Sequence, residues 1–292
     1  MSDPQVILEN YVVGEPLGRG ARSVIYDVTR VGGGEHFAAK FVRVRRHADR
    51  QVIAFLENEH RILSLLHADG RGPAGIVRPI EFVKVRRFFR LRSACLVLER
   101  VWGTSLQDRN DYAPADLLRI IGEVCRTLEY IHSRGIVHAD IKPDNILVTN
   151  SSQVKLIDFG FAAREGARLR SLVKGTWGFL APEQAGGVLT PKTDVYNLGG
   201  TMYWVFTGES LPAIMPDGKG GGFLPTKVRL MTPPRQLNPH LPRDLSDLIM
   251  RCCATEPEDR PSMREVRNRV HDAALRIEML RAESDAPLRR AT

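Results

Sequence analysis

His138-Ala139-Asp140-Ile141-Lys142-Pro143-Asp144-Asn145, followed by Asp158-Phe159-Gly160 thirteen positions after Asn145, is the stretch that decides the fold. Between the two motifs, Ile146-Leu147-Val148-Thr149 is apolar and β-branched, Asn150-Ser151-Ser152-Gln153 is a polar turn cluster, and Val154-Lys155-Leu156-Ile157 alternates back toward a core. That order predicts a β-hairpin whose ends carry Asn145 and Asp158 to one place. An amide oxygen and a carboxylate meeting there suit a hard, oxygen-liganded cation such as Mg²⁺. Asp140 lies five residues before Asn145, close enough in a loop to serve the same cavity as a base.

Upstream of this stretch the chain reads mainly as strands. Tyr11–Leu17, Val24–Arg30 and His36–Val44 are short apolar or β-branched segments, with Gly32-Gly33-Gly34 marking the second turn. Gln51–Leu66 then reads as a helix, since Val52, Leu56, Glu59, Leu63 and Leu66 recur at spacings of three and four. The stripe is apolar except at Glu59, and a carboxylate there is costly unless a cation meets it. Two more strands, Ile80–Val85 and Ala94–Glu99, lead to a connector at Val101-Trp102-Gly103.

Downstream the pattern is helical. Pro114–Arg134 is amphipathic and ends before Gly135, a favoured helix stop. Pro191–Thr207 is apolar on several sides and predicts a buried helix. Leu211–Pro225 is a Gly- and Pro-rich surface loop, Leu245–Ala254 and Ser262–Arg281 are two further helices, and the residues from Ala282 form a loose polar tail. A β-rich lobe followed by a helical one gives α+β architecture.

Leu17-Gly18-Arg19-Gly20-Ala21-Arg22-Ser23-Val24 lies between two strands and carries Gly-x-Gly, where missing side chains let backbone N–H groups approach phosphates. A dinucleotide-binding loop would lead into a helix instead, so that reading fails. Lys40 closes Phe37-Ala38-Ala39-Lys40, sixteen residues after Val24. A cation at a strand end and an anion on an apolar helix face resolve each other if Lys40 pairs with Glu59.

These motifs, in this order from Tyr11 to about Leu280, resemble the eukaryotic-type (Hanks-type) serine/threonine protein kinase family, and in compactness its bacterial members. The resemblance implies a bilobal protein kinase-like fold of α+β class, with one key helix in the N-terminal β-rich lobe and a mainly helical C-terminal lobe. It divides the chain into an extension (1–10), a kinase domain (11–281) and a tail (282–292). Within the domain it sets an N-lobe at about 11–99, a hinge at about 99–103 and a C-lobe at about 104–281. Asp140 is implied as catalytic base and Lys142 as a stabiliser of the moving phosphoryl group. Asn145 and Asp158 are implied as metal ligands. ATP is expected at Leu17, Gly18, Arg19, Gly20, Ala21, Arg22, Ser23, Val24, Ala38, Lys40, Glu59, Glu99, Val101 and Leu147. The cofactors are ATP and Mg²⁺, with Mn²⁺ an acceptable substitute. The partner is a protein with Ser or Thr acceptors, and autophosphorylation fits the same chemistry.

Two positions depart from the family pattern. Ser23 stands where a third glycine is usual, and Ala139 stands where many members carry an arginine that receives a phosphorylated activation loop. Alanine cannot receive a phosphate through that pocket, and Ser171 reads as a phosphosite or, at least equally, as an ordinary loop serine. The segment from Gly175 to Glu183 resembles the family's peptide-docking end, with Thr176 helping to define a Ser/Thr acceptor site. His138 is expected to be a buried structural residue, Glu183 to pair with Arg260, and Asp194 to hold the loop backbone. A binding scaffold without catalysis would predict loss of Lys40, Asp140, Asn145 or Asp158, and all four are present. A small-molecule phosphotransferase would usually lack the docking segment.

Bulk properties agree. The 292 residues are 43% hydrophobic, enough for a substantial core, and no apolar run is long enough to span a bilayer. The start, Met1-Ser2-Asp3-Pro4, has no signal-peptide character, and Cys95, Cys125, Cys252 and Cys253 lack metal-ligand spacing, so a reducing, cytoplasmic location is expected. The net charge of +8 is concentrated in two runs, Arg43–Arg50 and Lys84–Arg92. No nucleic-acid motif accompanies them, so nucleic acid is not an expected partner and solvated faces are the simpler reading.

Overall fold

A computed structural model describes residues 8–20, 22–46, 48–70, 72–109, 111–168, 178–186, 188–212 and 231–285. Ala21, Ser171, Thr176, residues 175–177, most of the 211–225 loop and the end of the polar tail lie outside them. The chain divides into two compact units. One holds the described residues up to Gly103 together with Thr149–Ala162, and the other holds Thr104–Val148 and the described residues from Ala163 onward.

In the first unit, β1 (Tyr11–Arg19), β2 (Val24–Arg30), β3 (His36–Arg43), β4 (Pro79–Arg87) and β5 (Arg90–Glu99) form one sheet in the order β1-β2-β3-β5-β4. Every neighbouring pair is antiparallel. Strand alternation sorts the side chains. Phe37, Ala39 and Phe41 point to one face, where they pack with Leu8, Tyr11, Val28, Cys95 and Val97. Lys40 falls on the opposite face, beside Leu96.

Helix α1 (Asp49–Leu66) packs on that second face, burying Ile53, Leu56, Glu59, Ile62, Leu63 and Leu66. It begins two residues before the expected Gln51, because Asp49 Oδ2 accepts the N–H groups of Arg45 and Arg46, both at 2.7 Å. Those two donors hold the Asp49 carboxyl below its ordinary range. Val52 is only partly covered, and Ile53 takes the core position assigned to it. Each fully buried aliphatic side chain stabilises the unit by about 2 kcal/mol.

The segment 149–162 joins this unit through its backbone. The turn after β8 (Ile146–Thr149) closes with Thr149 N–H to Gln153 O at 2.8 Å, and Ser152 takes φ +61°. In β9 (Val154–Leu156), Leu156 receives Val77 N–H at 3.1 Å and donates to Gly75 O at 2.8 Å. Short strands such as β6 (Gly103–Ser105) carry too little periodicity to be read from sequence.

The second unit is helical. Its larger elements are α2 (Pro114–Ser133), α4 (Pro191–Thr207), α6 (Arg243–Cys252) and α7 (Met263–Asp285). Two short helices, α3 (Pro182–Gly186) and α5 (Pro234–Leu237), and the two-residue pair β7 (Ile136–Val137) with β10 (Ala163–Arg164), were not expected. Helix α4 has the expected bounds and is buried along most of its length. Gly199 permits its close approach to α6, since a Cβ there would lie 2.7 Å from Cys252 Cβ.

Candidate active site

Two clusters of polar side chains form, one in each unit. In the first, β3 delivers Lys40 and α1 delivers Glu59, and their charged atoms meet at 2.9 Å. Asp158, just past β9, places Oδ1 at 2.9 Å from the same ammonium. The Lys40–Glu59 pairing inferred from the two oddities therefore forms, and Asp158 joins it. Glu59 is 1% exposed, and its second oxygen accepts Phe159 N–H at 3.3 Å. Burial would pull the Lys40 ammonium down, but Asp158 and Glu59 outweigh it and hold it above its ordinary value. Burial pushes the Glu59 carboxyl up while Lys40 pulls it back.

Asn58, next to Glu59 on α1, donates to Gly160 O at 3.1 Å and Ala162 O at 2.8 Å. These bonds fix the segment carrying Asp158, which has φ +61°. Asn58 was missed because a polar residue beside a buried position looks like an ordinary helix surface.

The glycine-rich segment is tighter than expected. β1 continues through Gly18, paired with Ile25, and Arg19, paired with Val24, so Leu17, Gly18 and Arg19 are strand residues and the strand ends only before Gly20. Gly20 N–H donates to Ser23 O at 2.9 Å, and a Cβ on Gly20 would lie 2.8 Å from Ser23 Oγ, so a larger residue there requires the Ser23 side chain to turn away. Arg22 reaches from this segment to Asp49 Oδ1 at 3.0 Å. Ala38 lies two residues before Lys40 in β3, so its side chain shares that face of the sheet. Glu99 pairs with Lys155, and Val101 O accepts from the Arg100 guanidinium at 2.7 Å. Leu147 lies in the part of β8 that belongs to the second unit.

In the second unit, the 3₁₀ turn Pro143–Asn145 folds Asn145 back on Asp140. Asn145 Nδ2 donates to Asp140 O at 2.8 Å and to Asp140 Oδ2 at 2.9 Å. Lys142 Nζ lies 3.5 Å from the same Oδ2. His138 is fully buried as expected, and its Nδ1 accepts Asp140 N–H at 3.3 Å. With both amide protons of Asn145 directed at Asp140, its Oδ1 is left as an acceptor.

Ala139 takes φ +62°, a conformation that costs about 1 kcal/mol for a residue with a Cβ. It is held from both sides. Asp194 Oδ1 accepts its N–H at 2.7 Å, and Gln184 Nε2 donates to its carbonyl at 2.8 Å. Asp194 Oδ2 also accepts His138 N–H at 2.9 Å and lies 2.8 Å from His132 Nε2. Arg260 grips Glu183 at 2.7 and 2.8 Å, as expected from sequence. Gln184 was missed because nothing in the spacing of a short helix marks it.

Within its own unit each expected metal ligand offers a hard oxygen donor, Asp158 a partly exposed carboxylate in the first and Asn145 an amide oxygen in the second. Among the described residues no three His, Cys, Asp or Glu side chains could cage a metal. Mg²⁺ needs none where phosphate and water oxygens complete its shell.

A protein kinase domain model matches residues 11–271. The serine/threonine-protein kinase PknB of Mycobacterium tuberculosis is 27% identical over 296 residues, covering 93% of this chain and 44% of that protein. Serine/threonine-protein kinase Pkn1 of Myxococcus xanthus is 29% identical over 265 residues, covering 84% and 35% respectively. The chain thus spans less than half the length of these relatives. Among solved structures, the autoinhibited serine kinase domain of the giant muscle protein titin superimposes with a TM-score of 0.69 at 20% identity, covering 92% of this chain and 82% of that one. That likeness establishes the fold.

Proposed function

Since this chain belongs to the protein kinase domain family, with bacterial serine/threonine kinases among its relatives, we propose that it transfers the γ-phosphoryl group of ATP to Ser or Thr hydroxyls of protein substrates. The observation that carries the reading is Lys40 held between Glu59 and Asp158. A buried ammonium fixed by two carboxylates is a preorganised cation, suited to phosphate oxygens without reorganisation during reaction. The kinase domain is taken as residues 11–281, with a β-rich lobe to about 99, a hinge at about 99–103 and a helical lobe from about 104.

Asp140 is the proposed base. Its Oδ2 is oriented by Asn145 Nδ2, and it would accept the proton of the substrate hydroxyl as that oxygen bonds to the γ-phosphorus and the bond to the β–γ bridging oxygen breaks. Lys142, beside the same carboxylate, would offset charge on the transferred group. Asn145 and Asp158 would hold Mg²⁺, which neutralises phosphate charge when bound. The glycine-rich segment would cover the phosphates, with Leu17, Val24, Ala38, Glu99, Val101 and Leu147 lining the nucleotide. ATP supply favours a cytoplasmic setting, and no helix among the described residues is long and apolar enough to cross a membrane.

The test is transfer of labelled γ-phosphate from Mg-ATP to the chain itself and to generic protein acceptors, beside Asp140→Asn. Label on Ser or Thr that disappears in the variant supports the proposal. Undiminished transfer by the variant removes Asp140 as base. Absent transfer with nucleotide binding retained points instead to a binding scaffold.

A further inference from the structure

The two basic runs fold onto one end of the sheet. Arg43 pairs in register with Ser93, Val44 N–H donates to Arg92 O at 2.8 Å, and Arg86 lies opposite Leu91. Arg43, Arg45, Arg46, Arg86, Arg90 and Arg92 are exposed there. The carboxylates at the same end are already engaged. Asp49 is taken by Arg22 and two backbone amides, and Glu57 by Lys84 at 2.6 Å. The surface there is strongly cationic.

At its tip, the β4–β5 hairpin turns on Phe88 and Phe89, which are 82% and 95% exposed. Both take left-handed backbone, φ +48° and +62°. A two-residue turn of this kind favours Asn-Gly, and two bulky residues in it are strained. Both rings stand largely in solvent on a strained turn, so apolar burial does not account for their place there.

We propose that this hairpin tip docks the chain on an anionic lipid bilayer. Phe88 and Phe89 enter the interfacial layer, and the surrounding arginines lie on headgroup phosphates. Several cations spread over one sheet end match a continuous anionic surface. Single-stranded nucleic acid is usually held on aromatics laid along a sheet face within a groove, whereas these two stand on a convex tip. The inference uses no residue of the phosphate-transfer site.

The experiment is co-sedimentation of the whole chain with phosphatidylcholine vesicles containing about one third phosphatidylserine, against pure phosphatidylcholine. The chain should partition at least about tenfold more strongly onto the anionic vesicles, and added salt should weaken this. Phe88→Asn with Phe89→Gly should lower that partition at least about tenfold while the melting temperature holds or rises, because Asn-Gly suits the turn. Arg86→Gln with Arg90→Gln keeps the aromatic pair and should also lower anionic binding and its salt dependence, which decides the matter if the first variant does not fold. Failure of the wild-type chain to sediment, full binding by both double variants, or preference for a single-stranded oligonucleotide over the vesicles overturns the proposal.

Discussion

Asp194 accepts the backbone N–H of Ala139 at 2.7 Å and so holds a left-handed residue immediately before Asp140. The carboxylate is fully buried and also accepts the N–H of His138, so one side chain fixes two consecutive peptide groups. Asp194→Asn keeps the shape but turns an amide N–H₂ toward one of those donors. Hydrogen bonds to a buried charge contribute about 1.5–3 kcal/mol each, so the variant should lose about 3 kcal/mol of stability. Denaturant unfolding measures this, and a loss below about 1 kcal/mol would show that the backbone holds itself.

Lys40→Met removes the cation that Glu59 and Asp158 share. Phosphoryl transfer should fall at least about a hundredfold, the scale of losing one preorganised electrostatic group. Steady-state rates beside an independent nucleotide-binding measurement check it. Unchanged turnover would separate the ion pair from the chemistry.

Arg260 and Glu183 should be strongly coupled. The guanidinium is fully buried, bonded twice to Glu183 and also to the carbonyls of Ala254, Thr255 and Lys192. A double-mutant cycle with Arg260→Met and Glu183→Gln should give a coupling of about 3 kcal/mol in unfolding experiments. Additive losses would mean the carbonyl bonds suffice alone.

The thiols set an alkaline limit. Burial pushes Cys95 and Cys252 up to about 12 from an ordinary value of 9.0. Below the ordinary value both states hold the proton and this contribution is fully present. Above it the unfolded chain ionises first, so stability falls by about 1.4 kcal/mol per pH unit per thiol until the folded value is reached. Urea unfolding between pH 8 and pH 10 should show a steeper decline for the wild-type chain than for Cys95→Ala with Cys252→Ala. Equal slopes would place the alkaline sensitivity elsewhere.

What could be read in advance was whatever broke a local pattern. Glu59 stood out as a charge on an apolar stripe, and α4 stood out as a run apolar on several sides from Pro191 to Thr207. Asp140, Asn145 and Asp158 were readable because their motifs are short and ordered. The contacts of Asn58 with Gly160 and Ala162 were not, since they join residues about a hundred positions apart and depend on how α1 is rotated. The extension of β5 back to Arg90 was hidden by arginines, which read as a loop although the backbone there still pairs with β4, with a register shift between Val85 and Arg86. Gln184 and Asn197 form a buried polar network whose partners are mostly main-chain carbonyls and amides, and these carry no sequence signal.

Asn58 and Glu59 stitch α1 to residues 159–162 through three hydrogen bonds, one of them to the amide of Phe159. Local opening of α1 must therefore release that segment in the same event. In native-state hydrogen exchange the Phe159 amide should open with the free energy of the α1 core amides, as one cooperative unit. Helix and segment would then melt together, and a perturbation felt by either is reported by the other.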